Sequence, residues 1–186
     1  ISNQQFNYNL QGVVYSSLTY YSKITGEYLK YSVYLPPGYS LSDRHFPVFY
    51  LLHGIGGNEI SWIRDYNVHR KIDSLIVSGE VEPFIIIMPD GRRSYYINDY
   101  LRKFPFEDIF IKELIPFIDS TYKTASGRQG RVVGGFSMGG FGALVHCMKH
   151  PDIFTGAVAL SAAVRTDSMV YHEKPEKYRQ YLNPVF

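Results

Sequence analysis

The chain has 186 residues, 45% hydrophobic and 19% charged, and on the usual scale of about 150 residues per domain we read 1–186 as a single α/β domain. That composition excludes a disordered tract, a collagen-like repeat and a coiled coil. A formal charge of +2 with no basic run longer than two residues argues against nucleic acid as a partner, and the longest wholly apolar run, Phe84–Met88, falls far short of the roughly 18 residues of a membrane span. Cys147 is the only cysteine, so an intrachain disulfide is excluded and the redox compartment is left open. The chain opens at Ile1 with neither Met nor a basic-then-apolar leader, which predicts a processed chain or a piece of a longer one.

Taken in order, Val13–Tyr21 and Tyr28–Leu35 are rich in β-branched and aromatic residues and flank Thr25-Gly26-Glu27, which predicts an antiparallel hairpin. After Pro36-Pro37-Gly38 the pattern changes. Short apolar runs at Val48–Leu52 and Phe84–Met88 bracket an amphipathic stretch from Trp62 to Val77, predicting strand, helix, strand. The spacing of Phe106, Ile109, Phe110, Leu114, Phe117 and Ile118 predicts a second helix, with Pro116 expected either to kink it or to sit where the lost bond is tolerated. Arg131–Phe136 then reads as a buried strand, Gly139–Lys149 as a helix stopped by His150-Pro151, and Ala157–Ser161 as a last strand. Strand and helix alternating in this way imply a mostly parallel sheet with helices on both faces.

The sharpest chemical signal is Gly135-Phe136-Ser137-Met138-Gly139, a G-x-S-x-G where a predicted strand meets a predicted helix. A serine on such a turn is held out of the sheet by a strained backbone, and small neighbours leave it room. Gly139, Gly140 and Gly142 each cost the following helix about 1 kcal/mol relative to Ala. Close approach of helix to sheet and an unobstructed Met138 amide, aimed at a developing oxyanion, would require them; tight packing alone is the other reading.

Upstream, His53-Gly54-Ile55-Gly56-Gly57 follows the first predicted parallel strand, where hydrolases of this design place the loop that supplies a second oxyanion donor. We assign that donor to the Ile55 amide and expect His53 to prop the turn. Nucleotide readings of these glycines fail on spacing. A dinucleotide fingerprint from Gly54 meets Glu59 where it needs glycine, and a phosphate loop from Gly135 meets Phe141 where it needs lysine. His146 and His150 lie four apart without an acidic third ligand beside them, so no metal is expected.

From about Tyr31 to Thr166 the chain resembles the esterase D-like group of α/β-hydrolases, above all the carbohydrate esterase family 1 feruloyl and acetylxylan esterases. The matching stretches are Val33–Tyr39, Tyr50–Gly57, Met88–Arg92, Glu113–Ile118 and Gly134–Gly140. The resemblance implies an α/β-hydrolase fold, Ser137 as the acyl-accepting nucleophile, the Ile55 and Met138 amides as the oxyanion hole, and no cofactor. It also implies that the acid and histidine of the triad follow the serine on loops after two further strands, whereas the chain ends at Phe186, 49 residues after Ser137. The expectation is therefore a fold lacking its C-terminal strands and an exposed apolar sheet edge, with three accounts of the missing triad partners: a companion C-terminal polypeptide that completes the site, a piece cut from a longer chain, or a degenerate hydrolase kept for binding. Asp152, Asp167 and His172 lie downstream of the serine, and the spacing favours none of them as triad members.

The function expected is a serine carboxylic ester hydrolase releasing feruloyl or acetyl groups from plant cell-wall polysaccharide. The alternatives are a non-catalytic carbohydrate-binding or scaffold homologue, and an acyltransferase of the same fold. The partner is a small or polysaccharide-linked ester, and the location secreted or periplasmic, with the cytoplasm left open. Asp90–Tyr100, a polar tyrosine-rich loop at the end of a strand, is either a sugar platform or a solvated loop with packing tyrosines. Trp62 is expected to anchor a helix rather than wall an acyl pocket.

Overall fold

The computed structural model describes residues 11–164. Strands β1 (Val13–Ser22) and β2 (Glu27–Leu35) pair antiparallel as the alternation predicts, closing at Gly26, whose φ of +71° carries no steric cost for glycine. A bulge between Tyr15 and Leu18 shifts the register and leaves Ser17 at φ +54°. Four further strands follow: β3 (Val48–Leu52), β4 (Ile85–Pro89), β5 (Arg131–Phe136) and β6 (Gly156–Leu160). The sheet order is β1-β2-β4-β3-β5-β6. Pairings from β4 through β6 are parallel, and β2 joins β4 antiparallel.

The helices depart from the sequence reading in two places. The stretch from Trp62 to Val77 is not continuous: α1 (Ser61–Arg64) and α2 (Val68–Val77) are separated at Asn67, φ +51°, a left-handed conformation that asparagine tolerates better than most residues. The segment from Phe106 divides into α3 (Phe106–Ile109), a π-helical turn (Phe110–Leu114) and α4 (Ile115–Thr121). Pro116 lies in the first turn of α4, where no amide is needed. The expected kink is absorbed just before it, where the Ile115 amide donates to the Phe110 carbonyl. The last helix, α5 (Met138–Lys149), runs from the end of β5 to a cap at His150.

Both sheet faces are covered. On one, Tyr34, Leu51, Ile86 and Met88 pack with Trp62 and Ile76 of α1 and α2. On the other, Val33, Tyr50, Leu52, Ile87 and Val133 pack with Phe106, Ile109, Phe110, Ile118 and Ala143 of the remaining helices. All five residues of β4 are buried, as a strand covered on both faces requires. The parallel strands β3, β4 and β5 point their carboxyl ends at one edge of the sheet, and the chain leaves that edge at residues 53–57, 90–104 and 137. Open α/β sheets bind ligands at that edge. Beyond β5, β6 has no second partner among the described residues, and Val158 and Leu160 are 44% and 48% exposed. Among the described residues no helix is long and apolar enough to cross a membrane.

Candidate active site

Ser137 sits alone between β5 and α5 with φ +54° and ψ −113°, a strained conformation for a residue with a Cβ. It is held from three directions: its amide donates to the Leu160 carbonyl at 2.9 Å, and its carbonyl accepts from the Phe141 and Ala163 amides, both at 3.0 Å. The end of β6 and the first turn of α5 thus fix the turn jointly. Met138, next in the chain, opens α5 with a fully buried side chain. Its amide has no acceptor among the described residues, as expected for the first amide of a helix.

The glycines of α5 settle the packing question. A Cβ on Gly139 would lie 2.8 Å from the His53 carbonyl oxygen, one on Gly140 3.0 Å from the Leu160 oxygen, and one on Gly142 2.6 Å from the Tyr96 Cβ. Close approach is therefore a physical requirement at all three, to the ends of β3 and β6 at Gly139 and Gly140 and to the loop after β4 at Gly142. It brings the start of α5 against the end of β3, where the loop 53–57 begins.

That loop is a tight turn with the Gly57 amide donating to the Gly54 carbonyl at 3.0 Å and Gly56 at φ +80°. The Ile55 amide has no acceptor among the described residues, and its side chain is exposed. His53 props the turn. Its Nδ1 lies 2.8 Å from the Gly54 carbonyl oxygen and its Nε2 3.0 Å from the Gly91 amide. A carbonyl needs a donor and an amide needs an acceptor, so the ring is the neutral Nδ1–H tautomer. With Nε2 already accepting, the Asp90 carboxylate 3.5 Å away finds no proton there and forms no ion pair. The other end of the loop is anchored by Glu59, which is buried and accepts from the Ser17 hydroxyl at 2.7 Å.

Ser137, Phe136, Ile55 and the glycine turn line a cavity of about 270 Å³ together with Trp62 and Tyr66, with Arg64 and Asp65 also part of its wall. That is slightly below the range of about 300–1,000 Å³ usual for ligand sites, room for one small group rather than a polymer. Trp62 does both things considered for it, packing on Ile86 and Met88 and lining the cavity.

The tyrosines of the loop after β4 divide between packing and solvent. Tyr95 and Tyr96 are 6% and 0% exposed, and only Tyr100, at 83%, stands in solvent. Tyr96 instead donates to the His53 carbonyl at 2.9 Å. Burial pushes its phenol well above the ordinary value, so it is a permanent donor. Neither the bond of Tyr96 to His53 nor the hold of Glu59 on Ser17 was legible in the sequence, since each acts through a partner distant in sequence.

Ser137 Oγ makes no hydrogen bond with the described residues. Asp152 lies beyond the far end of α5, a helix of 12 residues and so about 18 Å long. Asp167 and His172 fall outside the described residues. His150 is bound to Glu107 and His146 is enclosed in the core. Among the described residues no three His, Cys, Asp or Glu side chains are grouped as a metal site.

The chain is 33% identical over 168 residues to an endo-1,4-beta-xylanase/feruloyl esterase of Xylanibacter ruminicola, a match covering 87% of this chain and 23% of that protein. Among solved structures it superposes on a ferulic acid esterase with a TM-score of 0.76 and 31% identity, over 82% of this chain and 61% of that one. It also superposes on a CE1 ferulic acid esterase of Anaeromyces mucronatus in complex with ferulic acid, with a TM-score of 0.65 and 27% identity, over 77% and 55% of the two chains. The chain thus spans about a quarter of the curated relative and about three-fifths of the solved structures. The strand order β1-β2-β4-β3-β5-β6, with β2 antiparallel, is that of an α/β-hydrolase fold, which these neighbours share. Residues 22–185 match the family model described as "Putative esterase", and the chain belongs to that esterase family.

Proposed function

We propose that the protein is a serine ester hydrolase in which Ser137 Oγ attacks the ester carbonyl and the Ile55 and Met138 amides hold the oxyanion. The observation that carries this reading is the strained turn at Ser137, which lines a cavity shared with a glycine turn whose Ile55 amide has no partner among the described residues. Strain of this kind costs about 1–3 kcal/mol and persists where the surrounding structure over-determines it. Two donors aimed beforehand at the oxyanion are each worth about 10²–10³ in turnover.

The proton of Ser137 passes to a histidine outside residues 11–164, because both nitrogens of His53 are committed, His146 and His150 lie toward the other end of α5, and neither His45 nor His69 lines the cavity that holds Ser137. The histidine returns that proton to the departing alcohol, leaving the acyl group on Ser137. Water then attacks the acyl-enzyme by the same route. The small cavity, walled by Phe136, Trp62 and Tyr66, takes the acyl group and leaves a bulky alcohol outside. Feruloyl or acetyl esters of plant cell-wall polysaccharide suit that division, and the names of the relatives support it. A polymeric substrate would place the enzyme outside the cytoplasm.

The test uses the full-length protein. A fluorophosphonate probe should add its mass to the peptide containing Ser137, and feruloyl and acetyl esters should be turned over at rates that rank the acyl groups. Ser137→Ala should abolish labelling and lower kcat by at least about 10³-fold while leaving the melting temperature nearly unchanged. Turnover that survives in Ser137→Ala would refute the reading.

A further inference from the structure

Tyr96 takes no part in the chemistry above, yet it touches both elements that would build the oxyanion hole. Its hydroxyl donates to the His53 carbonyl at 2.9 Å, directly before the glycine turn. Its ring meets the His53 ring edge-on with centroids 5.6 Å apart. On the other side its Cβ fills the space that a Cβ on Gly142 would enter at 2.6 Å, so it is wedged against the first turns of α5. The ring is fully buried, with Phe106 edge-on behind it at 5.0 Å.

The backbone that presents this side chain is costly. Tyr95 and Tyr96 have φ of +53° and +62°, two consecutive residues with Cβ atoms in the left-handed region. A lock holds them there: Ser94 Oγ donates to the Gly91 carbonyl at 2.6 Å and accepts from the Tyr96 amide at 3.0 Å. The Gly91 amide in turn donates to His53 Nε2 at 3.0 Å. Strain of this size survives only where neighbouring contacts impose it, and here the Gly91 amide and the Tyr96 hydroxyl both end on His53 while the Tyr96 Cβ abuts Gly142 of α5.

Resting on the esterase reading of Ser137, Ile55 and Met138, we propose that Tyr96 is a positioning residue, a strut that fixes the glycine turn bearing the Ile55 amide relative to the helix end bearing the Met138 amide. The two donors belong to different elements, one after β3 and one at the start of α5. Gly139 lets those elements approach, and Tyr96 sets where they stop. Because it acts on the donors and touches no substrate, its loss should slow the chemical step and spare ground-state binding.

The experiment compares full-length wild type with Tyr96→Phe, which keeps the ring and removes only the hydroxyl, and with Ser94→Ala, which only loosens the lock. Two readouts are taken: kcat and KM on a 4-nitrophenyl ester, and hydrogen exchange of the peptide spanning residues 53–57. Tyr96→Phe should lower kcat about tenfold with KM changed less than twofold, and speed exchange of that peptide about tenfold. Ser94→Ala should do the same about threefold. Unchanged exchange and kcat in both variants would overturn the strut, as would a loss of kcat matched by an equal rise in KM. A wild-type protein inert to both ester and fluorophosphonate would overturn the esterase reading alone, and the exchange comparison would still decide the strut.

Discussion

The two ends of α5 meet the rest of the molecule by opposite means. At its start the backbone does the packing: Gly139, Gly140 and Gly142 bring the helix against the Leu52 and His53 backbone, the Leu160 carbonyl and the Tyr96 ring. At its end the side chains do it: His146 is enclosed among Phe110, Phe154 and His150, and Lys149 and His150 both bind Glu107. The first end gives up about 3 kcal/mol of helix propensity over its three glycines to bring donors and serine together. The second uses ordinary packing and charge. The contrast teaches that proximity of backbones, rather than of side chains, is what the candidate site demands of the sequence.

The largest effect should come from denying that proximity. In Gly139→Ala the new methyl would lie 2.6 Å from the Leu52 carbonyl carbon and 2.8 Å from the His53 oxygen, both backbone atoms that cannot swing aside. Overpacking of this kind costs about 3 kcal/mol, and the displaced glycine turn should take ester turnover with it. Gly156→Ala, at the start of β6, meets nothing within 4 Å and should change stability by less than about 0.5 kcal/mol. Urea denaturation of both variants checks the pair. Equal stabilities would show that α5 can retreat from β3, and the distinction between its two ends would fail.

The second effect belongs to the far end and appears on acidification. His146 is fully buried, and among the described residues neither ring nitrogen has a hydrogen-bond partner within ordinary geometry, the Tyr96 backbone lying near enough only to favour its proton weakly. Burial pushes its pKa down to about 3, against the opposing pull of Glu107 and with His150 and Lys149 adding to the depression. A histidine lowered in the folded state binds its proton first in the unfolded chain, so stability is intact above about pH 6.5 and falls as the pH drops toward 3. At pH 5 the loss should be about 2 kcal/mol. His146→Leu should flatten that limb, as seen in melting temperatures between pH 7 and pH 5. A limb unchanged by the substitution would break the assignment.

The fold was largely legible because its elements are written in local periodicity. The hairpin, the four parallel strands and α5 follow from alternation, short apolar runs and the stop at His150-Pro151. What stayed hidden depends on contacts far apart in sequence. Nothing local distinguishes Tyr95 and Tyr96, buried against α5, from Tyr100 in solvent; the difference is made by Gly91 and Gly142, whose missing side chains leave space for the Tyr96 ring. Glu59 reads as the residue that spoils a nucleotide motif, and only the bulge in β1 turns Ser17 toward it. At the candidate site the turn around Ser137 could be anticipated from five residues, whereas its hold by Leu160 and Ala163 could not.

The smallest effect distinguishes the charged part of the far end from its buried part. Glu107 is 10% exposed at its side chain and accepts from Lys149 at 2.6 Å, with His150 Nε2 at 3.0 Å, but the Lys149 side chain is 53% exposed. Water screens the lysine's share, and the glutamine in Glu107→Gln still offers one acceptor, so the cost at pH 7 should be about 1 kcal/mol. Burial raises the Glu107 pKa, yet its bonds with Lys149 and His150 outweigh that and hold it below the ordinary carboxylate value. A carboxylate lowered on folding contributes stability above its unfolded value, near pH 4.5, and loses it as the pH falls through the folded value. The two groups therefore act in successive windows: His146 governs the decline from about pH 6.5, and Glu107 adds to it only below about pH 4.5. Melting curves at pH 7, 5.5 and 4 should show Glu107→Gln flattening only the most acidic segment. If Glu107→Gln instead removed the slope between pH 6.5 and 5, the decline in that window would not belong to the enclosed His146 ring, and the separation of the two windows would fail.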